Sequence, residues 1–282
     1  MIKKRETAIR HIMEGHTRFK IFSEELQDDR EIIEMAVRYS RWPLFFMTER
    51  MRSHLTQELC DEAVRGGEHL RHVPKKFINK DMCAVAVKNC GNDIARVPEE
   101  FVTEKLCMDA AEHGASIRLI PERFRTEDIS ITAVRNMGGY EVRDIPEELM
   151  TEDLCLRLVG TGRCTPLNIP KEKLTQKVCL AFVMRSGLSL CHIPVPKRTK
   201  EVCAAAVGQN GLAIWYVPSA RLSGRLCVKA VENKAEAIKK IPSKKLTERL
   251  LVKMLRANRD CLQYMSEEMR TEKVLAAAGP DV

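Results

Sequence analysis

The feature that most constrains the fold is a pattern that recurs about every 24 residues along nearly the whole chain of 282 residues. The stretch "RTEDISITAV" begins at Arg125, and the closely similar "MTEDLCLRLV" begins 25 residues later at Met150. An Ile–Pro or Val–Pro pair recurs at the same period, with prolines at Pro74, Pro98, Pro121, Pro146, Pro170, Pro194, Pro218 and Pro242. A unit this short cannot bury an apolar face alone, so the period predicts an array of small units stacked on one another.

Each unit contains the start of a short helix. In "TEDLCLRLVGTG", the Thr151 hydroxyl can accept a backbone N–H at the helix start, and the two acidic residues after it favour the positive end of the helix dipole. Apolar residues such as Leu154 and Leu158 then share one face. Eleven such capping residues are visible: Asp29, Thr56, Asn79, Thr103, Thr126, Thr151, Thr175, Thr199, Ser223, Thr247 and Thr271.

The other elements of a unit follow from glycine and proline. Gly162 can adopt the left-handed conformation that ends a helix, and the same is expected of Gly91, Gly114, Gly138, Gly187 and Gly211. The recurring proline suits the first position of a second short helical turn. The sequence therefore predicts an all-α fold, an α-solenoid (superhelix) of about ten repeats of 23–25 residues. Each repeat is a capped α-helix plus a short second helix or 3-10 turn.

We predict four regions along the chain. Residues 1–18 form an N-terminal lead-in, 19–54 atypical capping repeats, 55–275 the regular array and 276–282 a C-terminal tail. The atypical part contains extra residues between Thr48 and Thr56 and one of the two tryptophans, Trp42, in "RYSRWPLFF". We interpret it as a repeat that seals one end of the stack. The alternative is a hydrophobic docking site.

The cysteines follow the repeat. Seven of the eleven are separated by 23, 24, 48, 24, 24 and 24 residues: Cys60, Cys83, Cys107, Cys155, Cys179, Cys203 and Cys227. No CxxC or CxxH pair occurs, which argues against zinc and iron–sulfur sites. A single small core position, reused in each repeat, explains the spacing, and Ser130 occupies the same position in one repeat. The sequence thus predicts reduced thiols and no cofactor.

Motifs for catalysis or metal binding are not evident. The chain lacks a glycine-rich phosphate loop, HExxH and a nucleophile elbow. His69 and His72 could share one helical face for a metal, but no third ligand is evident nearby. Cys191, His192 and Cys164 could form a Cys–His nucleophile. We predict that the chain is not an enzyme and binds no metal, with a cysteine-dependent enzyme as the alternative.

A candidate binding surface comes from the two positions before each Ile/Val–Pro pair, which vary while their neighbours do not. Because equivalent positions line one edge of a solenoid, these side chains are expected to form a basic and aromatic stripe, and Arg, Trp and Tyr are typical interface anchors. The alternative is an ordinary solvated face. The residues are Arg71, His72, Arg96, Arg118, Arg143, His192, Trp215, Tyr216, Lys239 and Lys240.

Charge is divided unevenly between the two halves. Residues 1–140 contain 23 Lys and Arg and 23 Asp and Glu, whereas residues 141–282 contain 24 and 16. The basic half is suited to an acidic protein surface, a nucleic acid or an anionic membrane. No apolar run approaches the ~18 residues that span a bilayer, and the basic N-terminus lacks the apolar core of a secretory signal. We expect a cytoplasmic monomer, or one delivered into a host cell without such a signal.

The repeat resembles tandem repeats of unknown function in bacterial and giant-virus proteins, which have roughly the pattern "aL-x-x-a-S/P-x-E-L-x-x-D-x-E-V-V-x-x-A-V-x-x-N-G". The stretches that carry the resemblance are "FKIFSEELQDDREIIEMAVRYS", "VPEEFVTEKLCMDAAEHG" and "VCAAAVGQNGLAIWYVP". The period is also similar to leucine-rich variant repeats, although their N-terminal cysteine-rich segment has no counterpart before Cys60. The resemblance implies a helical repeat architecture and transfers no catalytic residue.

Taken together, these observations predict a non-enzymatic scaffold that binds a macromolecular partner, most readily a protein, through the stripe. By analogy with the proteins it resembles, such a scaffold would be a bacterial adaptor or a delivered effector. The alternative is a nucleic-acid-binding α-solenoid that uses the basic C-terminal half.

Overall fold

The computed structural model describes residues 1–278 and confirms the predicted all-α fold of stacked repeats. Within these residues there is no strand, only an isolated bridge between Ile2 and Phe22. The chain forms two compact units, Met1–Pro146 and a second that begins at Glu147. No helix in the described part is long and apolar enough to cross a membrane. Of the predicted tail 276–282, the stretch 279–282 lies outside the described residues.

The α-helices are short and follow the repeat. The first unit contains α1 Arg5–Met13, α2 Glu24–Asp28, α3 Arg30–Tyr39, α4 Pro43–Phe46, α5 Glu49–Ser53, α6 Gln57–Arg65, α7 Lys80–Asn89, α8 Glu104–Glu112 and α9 Glu127–Met137. The second unit contains α10 Glu152–Gly160, α11 Gln176–Arg185, α12 Lys200–Gln209, α13 Gly224–Asn233, α14 Glu248–Ala257 and α15 Glu272–Ala278. Within each unit, successive long helices pack against each other, for example α11 on α12 and α12 on α13.

Two 3-10 helices follow most long α-helices. The first, which we call the middle segment, lies between the α-helix and the proline. Middle segments are Leu70–His72, Gly91–Arg96, Ile117–Leu119, Gly139–Asp144, Gly187–His192, Gly211–Tyr216, Ala235–Lys240 and Arg259–Tyr264. The second, three residues long, follows the proline, as in Lys75–Phe77 and Ser219–Arg221. The predicted unit of one capped helix and a short second helix is confirmed, with the second part divided in two.

The predicted capping residues act as expected at ten of the eleven helix starts. In each case the side chain accepts a hydrogen bond from a backbone N–H in the first turn, at 2.9–3.4 Å. These residues are Asp29, Thr56, Asn79, Thr103, Thr126, Thr151, Thr175, Thr199, Ser223 and Thr247. A helix of about ten residues is only marginally stable in isolation, so the hydrogen bonds of these caps contribute substantially to helix stability.

The predicted roles of proline and glycine need correction. Pro74 and its equivalents lie one residue before the three-residue helix, with extended ψ near 133° at Pro74, and not at its first position. Gly114, Gly138 and Gly162 have positive φ as predicted, but Gly91, Gly187 and Gly211 do not.

At Gly91, Gly187 and Gly211 the requirement is space, not left-handed backbone. A Cβ atom on Gly91 would collide with the Ala110 carbonyl oxygen of the next helix, and the same holds for Gly187 against Ala206 and Gly211 against Ala230. Each glycine therefore allows the start of a middle segment to lie directly on the backbone of the following α-helix.

Side-chain amides at helix ends connect neighbouring repeats, which the sequence analysis missed. Asn233 accepts from the Gly211 N–H at 2.7 Å and donates to the Gly208 carbonyl at 2.9 Å. Such an amide reaches back about one repeat to the end of the preceding helix and satisfies carbonyls that have no partner within their own helix. Similar contacts to the preceding helix are made by Asn89, Asn136, Gln209 and Asn258.

The N-terminal part is irregular, as the sequence indicated. The predicted lead-in contains α1, which buries Ala8 and Ile12 and packs against α3. Trp42 precedes α4 with φ 56°, a left-handed conformation that is unusual for a bulky residue, and is 38% exposed. Leu44 two residues later is fully buried.

We predict that Gly211→Ala destabilises the protein by about 1–3 kcal/mol, because the added methyl forces the middle segment away from α13. Thermal unfolding followed by circular dichroism measures the effect. The matched control is Gly160→Ala in α10, where the added Cβ meets no atom within 4 Å. There the better helix propensity of alanine should leave stability unchanged or raise it by up to about 1 kcal/mol. Equal destabilisation by both changes would contradict the close-approach role of Gly211.

Candidate interaction surface

The middle segments of the second unit form a row of exposed side chains. Successive middle segments from Gly187–His192 to Arg259–Tyr264 contact one another side by side. Their inward residues, such as Ile214 and Ile238, are buried. Residues before the Ile–Pro or Val–Pro pair point outward: His192, Lys239 and Lys240 are exposed, and Trp215 is 61% exposed. The structure thus brings the predicted residues of this unit onto one edge. We call this row the Trp215 surface.

Aromatic and basic side chains alternate on the Trp215 surface through contacts between neighbouring repeats. The Lys240 ammonium lies 4.9 Å from the centroid of the Trp215 ring, and the Lys239 ammonium lies 4.5 Å from that of Tyr264. Cation–π contacts of this kind orient the lysines while leaving other sides of the rings accessible. The surface therefore offers flat apolar area with positive charge beside it.

Arg198, which was not singled out from the sequence, holds the backbone that carries the Trp215 surface. Its guanidinium donates to the carbonyls of Ile193 at 2.7 Å, Cys191 at 3.2 Å and Tyr216 at 2.7 Å. One side chain thus ties two successive middle segments together. Because Tyr216 is only partly exposed, it contributes less to the surface than Trp215. The sequence feature that could have indicated this role is an arginine directly after the three-residue helix that follows the proline. Arg125 occupies the equivalent position and donates to the Ile120 carbonyl at 2.8 Å.

The first unit has its own row of middle segments, from Leu70–His72 to Gly139–Asp144. At the positions that the sequence singled out, Arg71, Arg96, Arg118 and Arg143 are exposed. Arg143 lies 3.7 Å from the carboxylate of Asp144, so part of this positive charge is balanced locally. The exposed aromatic side chain of this row is Tyr140, which is 49% exposed and lies at the second position of its middle segment, away from the Ile–Pro pair.

His72 lies inward, unlike the exposed residue that the stripe prediction implied. Its Nδ1 is 2.6 Å from the Glu68 carboxylate, its ring centroid is 4.9 Å from that of Phe45 with the two rings tilted by 40°, and its side chain is only 12% exposed. Glu68, which is buried, also accepts the Leu44 N–H at 2.8 Å. His72 is therefore removed from the candidate surface.

Two further buried carboxylates repeat this arrangement in the first unit. Asp93 accepts the Leu70 N–H at 3.2 Å, and Glu141 accepts the Ile117 N–H at 2.7 Å. Each carboxylate satisfies a backbone donor at the start of the preceding middle segment. The equivalent positions in the second unit hold small residues, among them Ala213 and Ala237.

The α-helical face of the second unit contains two basic grooves. The groove between α12 and α13, of about 650 Å³, is lined by Lys200, Arg221, Arg225 and Lys229. The adjacent groove between α13 and α14, of about 400 Å³, is lined by Lys245, Arg249 and Lys253. Every charged side chain that lines these two grooves is basic. In the first unit, by contrast, the groove between α6 and α7 contains Asp61 and Asp81 beside Arg65 and Lys80.

The regularly spaced cysteines are core residues. All seven are buried, as is Ser130. Burial raises the pKa of Cys60 to about 12 and that of Cys107 and Cys227 to about 11, so these thiols stay protonated near neutral pH. Burial likewise raises the pKa of Cys164 to about 12, which is the opposite of what a nucleophile needs.

Comparison with known proteins adds no assignment. No protein-family model matches the chain, and no curated protein sequence is significantly similar to it.

Proposed function

We propose that this chain is a non-enzymatic interaction scaffold that binds an acidic segment of a protein partner on the Trp215 surface. The observation that carries the proposal is the exposure of Trp215 in a row of packed, rigid elements, with a lysine ammonium against its ring. Tryptophan is the side chain most enriched among residues that dominate binding energy at protein interfaces.

The charge of the surrounding unit supports an acidic partner. Residues 163–253 contain 18 Lys and Arg but only five Asp and Glu. Such a field attracts an acidic segment over long range and disfavours basic ones. The apolar ring of Trp215 then supplies contact area that charge alone does not.

Rigidity supports the same proposal. The Trp215 backbone belongs to a segment held by Arg198 and by the close approach of Gly211 to α13. A preorganised surface loses little conformational entropy on binding, which favours affinity for a flexible segment. The adaptor or effector role suggested by resemblance belongs to this proposal as well, since both are scaffold functions.

We predict that Trp215→Ala weakens binding of acidic peptides by about 2 kcal/mol, roughly thirty-fold. Peptides are first selected from a displayed random library on the intact protein. Affinities are then measured by the fluorescence of Trp215 in a Trp42→Phe background, where it is the only tryptophan, and by calorimetry for Trp215→Ala. We expect the selected peptides to be rich in Asp and Glu around an apolar residue.

The matched control is Met184→Ala, which removes a 69% exposed apolar side chain of α11 that lies outside the middle segments. It should leave peptide affinity unchanged. Peptides without acidic bias, or equal binding by the Trp215→Ala variant, would refute the proposal.

Nucleic acid binding is the second candidate, and the basic grooves at α12–α14 favour it. The N-terminal ends of α13 and α14 also open into them through Ser223 and Thr247, and helix N-termini attract phosphate. This candidate uses a different face from the Trp215 surface, so the two can be separated by mutation.

If the grooves bind single-stranded nucleic acid through about six phosphate contacts, the logarithm of the affinity should fall with the logarithm of salt concentration with a slope of about −4. Fluorescence anisotropy of a labelled oligonucleotide measures it. Replacing Lys229 and Lys253 by Gln should reduce the steepness of the slope, whereas Trp215→Ala should not. A slope near zero, or an equal response to both sets of changes, would rule this candidate out.

A further inference from the structure

A cluster of metal-ligating side chains lies in the first unit, between two successive repeats. His69 directly precedes the middle segment Leu70–His72, Cys90 directly follows α7, and Asp93 belongs to the next middle segment. A nitrogen, a sulfur and an oxygen atom from these residues all lie within 4.8 Å of one another. The sequence showed His69 beside His72, but the fold instead pairs His69 with two residues more than 20 positions away.

Two of the three side chains are already held at the separation that a metal requires. His69 Nδ1 is 3.2 Å from Asp93 Oδ1, and the other Asp93 oxygen accepts the Leu70 N–H at 3.2 Å. Ligands about 2.0–2.1 Å from zinc at tetrahedral angles are about 3.3 Å apart. The backbone bond to Asp93 is the kind of outer contact that orients a ligating carboxylate. Its side chain is only 8% exposed, so little water competes with it.

Cys90 is not explained by the packing of the repeats. It lies seven residues after Cys83 and so falls outside the series of core cysteines spaced by 24. At the equivalent position of two sister repeats, Asn210 and Asn258 accept a backbone N–H two residues later. Cys90 is half-buried, and its thiol makes no hydrogen bond to the described residues. Its partial exposure distinguishes it from the buried thiols of the core.

We propose that His69, Cys90 and Asp93 form a binding site for a divalent transition metal of the zinc type. Imidazole, thiolate and carboxylate are the donors that zinc uses, and three protein ligands leave a fourth position for water. The thiol must approach the other two ligands by about 1 Å, a movement within the range of a side-chain rotation. This inference is independent of the proposed function, because the site is in the first unit.

Proton balance follows from the donors. Binding converts the Cys90 thiol to a thiolate and releases one proton to solvent, whereas His69 stays neutral with its proton on the nitrogen that does not bind the metal. Asp93 binds as the carboxylate. A bound metal would also connect two neighbouring repeats and raise the temperature of unfolding, since it binds only the folded arrangement.

The test is titration of the reduced, metal-free protein with cobalt(II), which reports its ligands by colour. We expect one equivalent to produce the intense visible bands of tetrahedral cobalt and a near-ultraviolet thiolate-to-cobalt band, both removed by added zinc. Cys90→Ser should lose the thiolate band, and Asp93→Asn, which can still accept the Leu70 N–H, should weaken binding at least tenfold. Circular dichroism confirms that both variants fold.

Cys191→Ser is the matched control, because Cys191 is the other half-buried cysteine. It should leave both bands intact. Absence of the bands in the unmodified protein, their persistence in Cys90→Ser, or their equal loss in Cys191→Ser would each overturn the proposal.

Discussion

The structure depends on close contact between the start of a middle segment and the C-terminal part of the following α-helix. Gly211 lies directly against the Ala230 carbonyl, and Asn233 bridges the Gly211 N–H and the Gly208 carbonyl. Neither the ten-residue helices nor the 3-10 segments would be stable alone. Their stability comes from neighbours, so a contact that sets the spacing between repeats also sets the positions of all side chains on the surface. The edge position of Trp215 is a consequence of this spacing.

The two units use the same backbone plan with different chemistry. In the first, buried carboxylates such as Glu141 satisfy backbone donors of the preceding middle segment. In the second, small residues such as Ala213 occupy the equivalent positions. Burying a carboxylate costs free energy unless its oxygens have hydrogen-bond partners. The buried carboxylates of the first unit have such partners, and the contact between Asp93 and His69 is one of them. The second unit instead has a strongly basic exterior, with Trp215 exposed on its row of middle segments.

The sequence predicted the elements that depend on local chemistry. The Thr and Ser caps, the buried faces of the helices and the cysteine positions follow from contacts within ten residues, and the structure confirms them. Contacts whose partners are one repeat away could not be predicted from the sequence. Gly91 and Gly211 were assigned a left-handed backbone because glycine permits both that conformation and the close approach of another backbone. Only the position of the carbonyl in the neighbouring helix shows that close approach is the reason here. His72 was placed on the surface because its position in the repeat is usually exposed, whereas the structure bonds it to the buried Glu68 carboxylate. The contact between His69 and Asp93, which are 24 residues apart, has the same origin.

The central claim is that the 24-residue repeat buries the equivalent face of every helix. Thiol labelling tests this claim most directly. The native protein is treated with an alkylating reagent in the presence of a chelator, and each cysteine is quantified by mass spectrometry over time. Cys90 and Cys191 should be labelled rapidly, and the other nine cysteines, which are buried, only after unfolding by denaturant. Labelling of any of the seven regularly spaced cysteines at the rate of Cys191 would contradict the register.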